Sequence, residues 1–151
     1  MERLTGRLAE ARRALASFEE LAQCRERSMI ERDAAIMRFA YTFEAAWKAV
    51  HLYLYEHEGL EVGSPKQSIR ASRRIGLLTD EQAESALSMT DDRNLVVHVY
   101  REAVASDLDS RLRLHAATLA AWLGAISALT AVTADEASRA RGGTGLALQT
   151  T

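Results

Sequence analysis

Apolar residues recur at helical spacing along most of the chain. Leu4, Leu8, Ala11, Leu15, Phe18 and Ala22 step by four and three, which predicts a first helix over about residues 2–24. Ile36, Phe39, Phe43, Trp47, Val50 and Leu54 predict a second over about residues 30–58, broken after that by Gly59 and Gly63. Ser64 followed by Pro65 opens a third, short helix that stops at Gly76. Thr79 caps a fourth, Gln82 completes a capping box, and the pattern carries this helix to His98–Tyr100. A fifth is predicted from about residue 103 to 131 through Leu108, Leu112, Leu119, Leu123, Ile126 and Leu129. No stretch alternates apolar and polar residues for long enough to argue a strand. The expected fold is all-α, an antiparallel bundle of about five helices forming one domain over residues 1–131. Residues 132–151 end in the Gly/Thr-rich RGGTGLALQTT, expected to be flexible or borrowed by a partner.

Composition agrees with helix, with one proline among 151 residues. Apolar residues at 48% and charged residues at 26% suit a folded soluble domain and exclude a disordered chain. A chain of this size buries enough surface to need no disulfide or metal staple. The longest continuous apolar stretches, such as residues 116–123, are shorter than the roughly 20 residues that span a bilayer, so no membrane partner is expected. The start MERLTGRLAEARR lacks an apolar signal core, so neither secretion nor organelle import is expected. The single cysteine, Cys24, fits a reducing cytoplasm. Nineteen basic residues against 21 acidic ones give a net charge of −2 and a pI near 6.1. Binding nucleic acid by bulk electrostatics calls for a basic protein. DNA is therefore not expected as a partner, and any contact with RNA has to come from a local site or a shared surface.

The chain has no phosphate-binding glycine loop, no G-x-S-x-G and no H-E-x-x-H. His51 and His57 are six residues apart and do not share a helix face, so they make no metal pair. His115, between Leu114 and Ala116, is expected as a half-buried helix residue. Glu44 and Lys48 form an i,i+4 pair, Phe39, Phe43 and Trp47 form a core stripe, and Trp122 packs in the last helix.

The segment Asp91-Asp92-Arg93-Asn94-Leu95-Val96-Val97-His98-Val99-Tyr100 stands apart. In a continuous helix with Arg93 at zero, Asn94 falls at about 100°, His98 at about 140° and Tyr100 at about −20°. Leu95, Val96 and Val99 then share the opposite side and face a core. The polar four are either a solvated helix face or the lining of a site. Their chemistry suits cleavage of RNA. Histidine near its ordinary pKa of about 6.5 can exchange a proton with a 2′-hydroxyl or a leaving oxygen. An arginine fork can hold the scissile phosphate, and Asn94 can orient the imidazole. This chemistry needs no metal and no cofactor. Arg70, Arg73 and Arg74 on the short helix are either a basic lip to an RNA cleft or a solvated face.

Arg93-Asn94-x-x-x-His98-x-Tyr100 resembles the R-x4–6-H motif of the HEPN superfamily in its R-N-x3-H-x-Y form. Arg38-Phe39-Ala40-Tyr41-Thr42-Phe43-Glu44-Ala45-Ala46-Trp47-Lys48 is similar to the R-F-E-[FY]-T-F-E-x-x-W-K segment of the HepT-like nucleotidyltransferase substrate-binding proteins. Gly63-Ser64-Pro65-Lys66 with Ile69-Arg70 resembles a third block of that branch, and the likeness covers about residues 30–125. The resemblance implies a HEPN-type bundle that dimerises through its motif-bearing face, beside a minimal nucleotidyltransferase partner. One implied function is a metal-independent endoribonuclease toxin, with Arg93, Asn94 and His98 catalytic and Tyr100 adenylylated by the partner as antitoxin. The other is a non-catalytic substrate-binding subunit of that transferase. Here Ala40 stands where the family has an acid, Val97 and Val99 flank the histidine in place of small polar residues, and Arg101 replaces a common acid. A homodimer is also argued from charge: one Arg93 and one His98 are sparse for a polyanion, and a two-fold axis brings two sets together.

Overall fold

The computed structural model describes residues 2–149, with side chains over 3–142. Among the described residues there are six α-helices and no strand: α1 Glu2–Ala22, α2 Met29–Glu58, α3 Pro65–Arg74, α4 Asp80–Leu95, α5 Glu102–Asp109 and α6 Leu112–Gln149. A 3₁₀ turn, Val96–His98, follows α4. The starts obey local chemistry. Ser28 with Glu31, and Thr79 with Gln82, form full capping boxes, and Ser64 caps α3 ahead of Pro65. Gly59 ends α2 in the left-handed region at φ 64°, where a side chain would be strained.

Ser17 Oγ lies 3.0 Å from Tyr41 Oη, while Arg3 shares a hollow with Tyr55, so α1 and α2 run antiparallel. Arg12 bonds Ser127 and Arg113 bonds the Gln23 carbonyl, so α1 and α6 do too. The three long helices enclose the apolar stripe read from the sequence. Phe18, Phe39 and Phe43 are fully buried, with ring centroids 5.9 and 6.4 Å apart along the row. α3 and α4 pack on each other and close the bundle against α2 and α6. There Trp122 is fully buried and its indole donates to Ser72 Oγ at 3.0 Å. Trp47, expected with the core stripe, is only half-buried.

Two expected helices end differently. The fourth does not reach Tyr100: α4 stops at Leu95, and Val96 N–H bonds the Arg93 carbonyl, tightening the chain into the 3₁₀ turn. Val96, Val97 and Val99 are β-branched and pack poorly in successive helical turns, which favours release there. Nor is the fifth continuous, since α5 and α6 are separated at Ser110–Arg111. Ser110 Oγ bonds the Asp107 carbonyl at 2.6 Å, and Arg27 binds both the carboxylate and the carbonyl of Asp109, at 2.8 and 3.0 Å. The same guanidinium takes the Leu21 and Cys24 carbonyls at the end of α1, so one arginine satisfies two helix ends.

α6 continues through the Gly/Thr-rich residues to Gln149. By length and composition Leu112–Gly142 is apolar enough to cross a membrane, which the broken apolar runs of the sequence conceal. In the bundle this helix supplies Leu112, Leu119, Trp122, Leu123 and Ile126 to the core. Trp122→Ala is expected to lower unfolding free energy by about 3–5 kcal/mol. A urea titration should show the midpoint falling with an unchanged slope.

Candidate functional site

Asp92, in the last turn of α4, is 5% exposed, and burial of a carboxylate demands partners. Arg111 meets it with both arms, Nε to Oδ2 at 2.7 Å and Nη2 to Oδ1 at 2.9 Å. His115 Nε2 lies 2.6 Å from Oδ2 and, against an ionised carboxylate, carries the donating proton. The His115 ring is 1% exposed, not half-buried as expected, and stacks on Phe39 at 5.0 Å. Its Nδ1 has no partner. Burial alone would raise the Asp92 carboxyl, but the hydrogen bonds from Arg111 and His115 outweigh it and hold the group below its ordinary range. Burial pushes the His115 imidazole down, against the pull of Asp92. Bonding to Asp92 raises Arg111.

This anchor sets the direction of the neighbouring motif residues. Arg93 is half-buried beside it and pairs with Glu44 of α2. Its guanidinium also lies over the Phe43 ring, 5.6 Å from the centroid. Glu44 therefore bridges to α4, while Lys48, its expected partner, lies farther off at 4.0 Å. The Glu44–Arg93 pair joins the 38–48 block to the 93–100 block. Arg93 also reaches Asn94 Oδ1 at 3.5 Å.

Asn94, His98 and Tyr100 are exposed, Tyr100 by 81%. The His98 and Tyr100 rings approach edge to face at 6.3 Å. The continuous-helix angles do not apply across the 3₁₀ turn, yet the polar residues still face outward. The aliphatic side is less buried than expected: Leu95, Val96 and Val99 are half-buried.

Arg70, Arg73 and Arg74 border a separate open hollow with Asp80. Arg73 is bound there by Asp80 at 2.7 Å, which leaves Arg70 and Arg74 as its more available cations. On the side of α3 toward the motif, Lys66 pairs with Asp91 at 2.7 Å. Among the described residues no three His, Cys, Asp or Glu side chains converge as a metal site would require. Sequence reasoning missed Asp92, Arg111 and the Glu44–Arg93 contact. The double acid Asp91-Asp92 ahead of the motif was the available signal for the first.

The described residues form an all-α bundle, with Arg93 in the last turn of α4 and His98 and Tyr100 just past its end. The model for nucleotidyltransferase substrate binding protein like proteins matches residues 6–127, and the chain belongs to that family. A crystal structure of a Thermus thermophilus protein is similar, with 52% identity and a TM-score of 0.75 over 77% of this chain and 98% of that one. No curated protein matches the chain.

His115 and Asp92 make the same prediction about pH. His115 and Asp92 each have a folded-state pKa below the ordinary value of 6.5 or 3.8, so each contribution is complete above that value. It is lost as pH falls, because the unfolded chain takes up the proton first. Stability should be level above pH 7, decline from about 6.5 and decline again below about 4. Asp92→Asn should cost about 2–3 kcal/mol at neutral pH, less than the roughly 3–5 kcal/mol of a fully buried pair because Arg111 keeps some solvent. Chemical denaturation at stepped pH measures both effects.

Proposed function

We propose that the chain is an endoribonuclease toxin whose site is the Arg93–Asn94–His98 cluster, regulated at Tyr100 by a nucleotidyltransferase partner. The observation that carries this reading is the exposure of His98 beside Tyr100, without a side-chain hydrogen bond among the described residues, on a turn braced by buried Asp92. In the proposed reaction His98 removes the proton of a 2′-hydroxyl. That oxygen attacks the adjacent phosphorus and the bond to the 5′-oxygen breaks; the 5′-oxygen takes a proton from water, His98 gives its acquired proton back to solvent, and a 2′,3′-cyclic phosphate is left. Arg93 turns from Glu44 toward the phosphate and balances its growing charge. Asn94 bonds a phosphate oxygen or the imidazole. None of these steps calls on a metal. Arg70 and Arg74 give the RNA a secondary cationic contact, and a homodimer doubles the local positive charge.

Tyr100 is open to a partner enzyme. AMP on its hydroxyl adds a bulky anion near His98 and Arg93, opposing substrate by volume and by charge. The family's description favours a second reading, a non-catalytic subunit that presents substrate to the transferase. The two differ in whether the purified chain cleaves RNA.

His98→Ala should lower cleavage by about 10²–10⁴-fold while the circular dichroism spectrum is retained. Equal activity in variant and wild type sinks the catalytic assignment and favours the subunit reading. Coexpression with a neighbouring minimal nucleotidyltransferase should add AMP mass to the wild type and abolish its cleavage. Tyr100→Phe should escape the mass addition and keep part of its activity. AMP found on another residue would overturn the role of Tyr100.

A further inference from the structure

A groove between α1 and α2 leads away from the Glu44–Arg93 pair and has no part in the chemistry above. It consists of three connected hollows. The outermost, about 560 Å³, lies among Arg3, His51, Tyr55 and the loop at Glu61. The middle one, about 250 Å³, is walled by Trp47 and shares Arg3 and His51 with the first. The innermost, about 280 Å³, holds Tyr41 and Glu44 and shares Arg7 and Lys48 with the middle one.

The pattern is an alternation. Every hollow has an aromatic wall, and every junction between hollows has a cation. Glu10 and Glu61 each border only an end hollow, and Glu44 is already paired with Arg93. Arg3 and Arg7 carry no ion pair among the described residues. They stand one helical turn apart, about 6 Å along the axis, a step of the order of one extended nucleotide. Trp47 and His51 meet edge to face at 5.8 Å, and Trp47 Nε1 and His51 Nδ1 are enclosed without partners.

We propose that this groove is the track of a single-stranded RNA segment, with bases in the aromatic hollows and phosphates at the cationic junctions. The strand passes Arg3, then Arg7 and Lys48, and reaches Arg93 where Glu44 yields to it. This extends the RNA reading from the scissile bond to the strand and rests on it. Unpaired bases offer the faces that aromatic side chains stack on. A cleft between packed helices, whose axes lie only about 8–10 Å apart, is too narrow for a duplex. Cations at two separate junctions suit a chain of phosphates better than the single phosphate cluster of a mononucleotide.

The test uses the full chain and a fluorescent oligouridylate of about 12 nucleotides, followed by anisotropy over a salt series. His98→Ala serves as background so that the strand stays intact. Adding Arg3→Ala and Arg7→Ala should weaken binding by 10-fold or more and lower the log–log salt slope by about 1.4, two contacts at about 0.7 each. Arg13→Ala with Arg25→Ala removes the same charge from exposed positions that do not border the groove, and should leave affinity within about 2-fold. Absence of strand binding, equal loss from both doubles, or competition by AMP or duplex RNA as strong as by the strand overturns the proposal. Cleavage by otherwise wild-type protein separates the two claims. If cleavage needs His98 while both doubles bind alike, the groove falls and the ribonuclease reading stands. If the groove double alone loses the strand and no form of the protein cleaves, the groove stands and the ribonuclease reading falls.

Discussion

A carboxylate taken out of water costs several kcal/mol, and Asp92 is held buried only by what surrounds it. Arg111 supplies a two-armed match to both oxygens, and His115 supplies a third donor from one turn further along α6. The last turn of α4 is thereby tied to the first turn of α6, and α2 joins through Phe39 stacked on the His115 ring. Three elements distant in sequence are locked at one point. The break between α5 and α6 belongs to the same arrangement: Arg111 lies in the turn between them, with its guanidinium on Asp92, while Arg27 closes the carbonyl end of α5. Asp92 directly precedes Arg93, so the anchor also orients the motif.

The balance at this point makes the bundle sensitive to protons in one direction. Asp92 is held ionised and His115 is held neutral, so acid opposes the folded state at both groups. Neutral His115 donates through Nε2 and leaves Nδ1 without a partner inside the protein. This histidine is a structural element, distinct from His98, which is exposed on its 3₁₀ turn. The two show how one residue type divides between roles according to solvent access and partners.

Glu44 is the second organising residue. In α2 it faces Arg93, with Lys48 one turn away, so a single carboxylate stands between two cations. In the proposed reaction a phosphate replaces that carboxylate on Arg93, exchanging one charge-assisted contact for another. The site then has a preset arginine without an unpaired charge in the resting protein. Glu44 also borders the inner end of the α1–α2 groove, which places the proposed strand path and the proposed chemistry at one pair of side chains.

The helices themselves were legible in the residues. Stripes at Leu4–Ala22 and Ile36–Leu54, the Ser64-Pro65 start and the Thr79–Gln82 box depend on spacing and short-range hydrogen bonds, which a single chain segment carries within itself. The motif residues Arg93, Asn94, His98 and Tyr100 were legible by resemblance, whereas the outward direction of His98 and Tyr100 was reached from a continuous helix that the 3₁₀ turn replaces. The end of α4 at Leu95 and the break at Ser110–Arg111 were not, because no glycine or proline marks either place. They arise from valine crowding and from Arg27 and Asp92, whose partners lie 82 and 19–23 residues away. Glu44 looked like a local partner of Lys48 because periodicity counts only neighbours on the same helix. Its choice of Arg93, 49 residues on, required α2 and α4 to be packed together first. Local spacing determined which residues form helices and which faces are apolar; long-range charge pairing, decided only in the packed bundle, determined where the helices stop and how the motif is held.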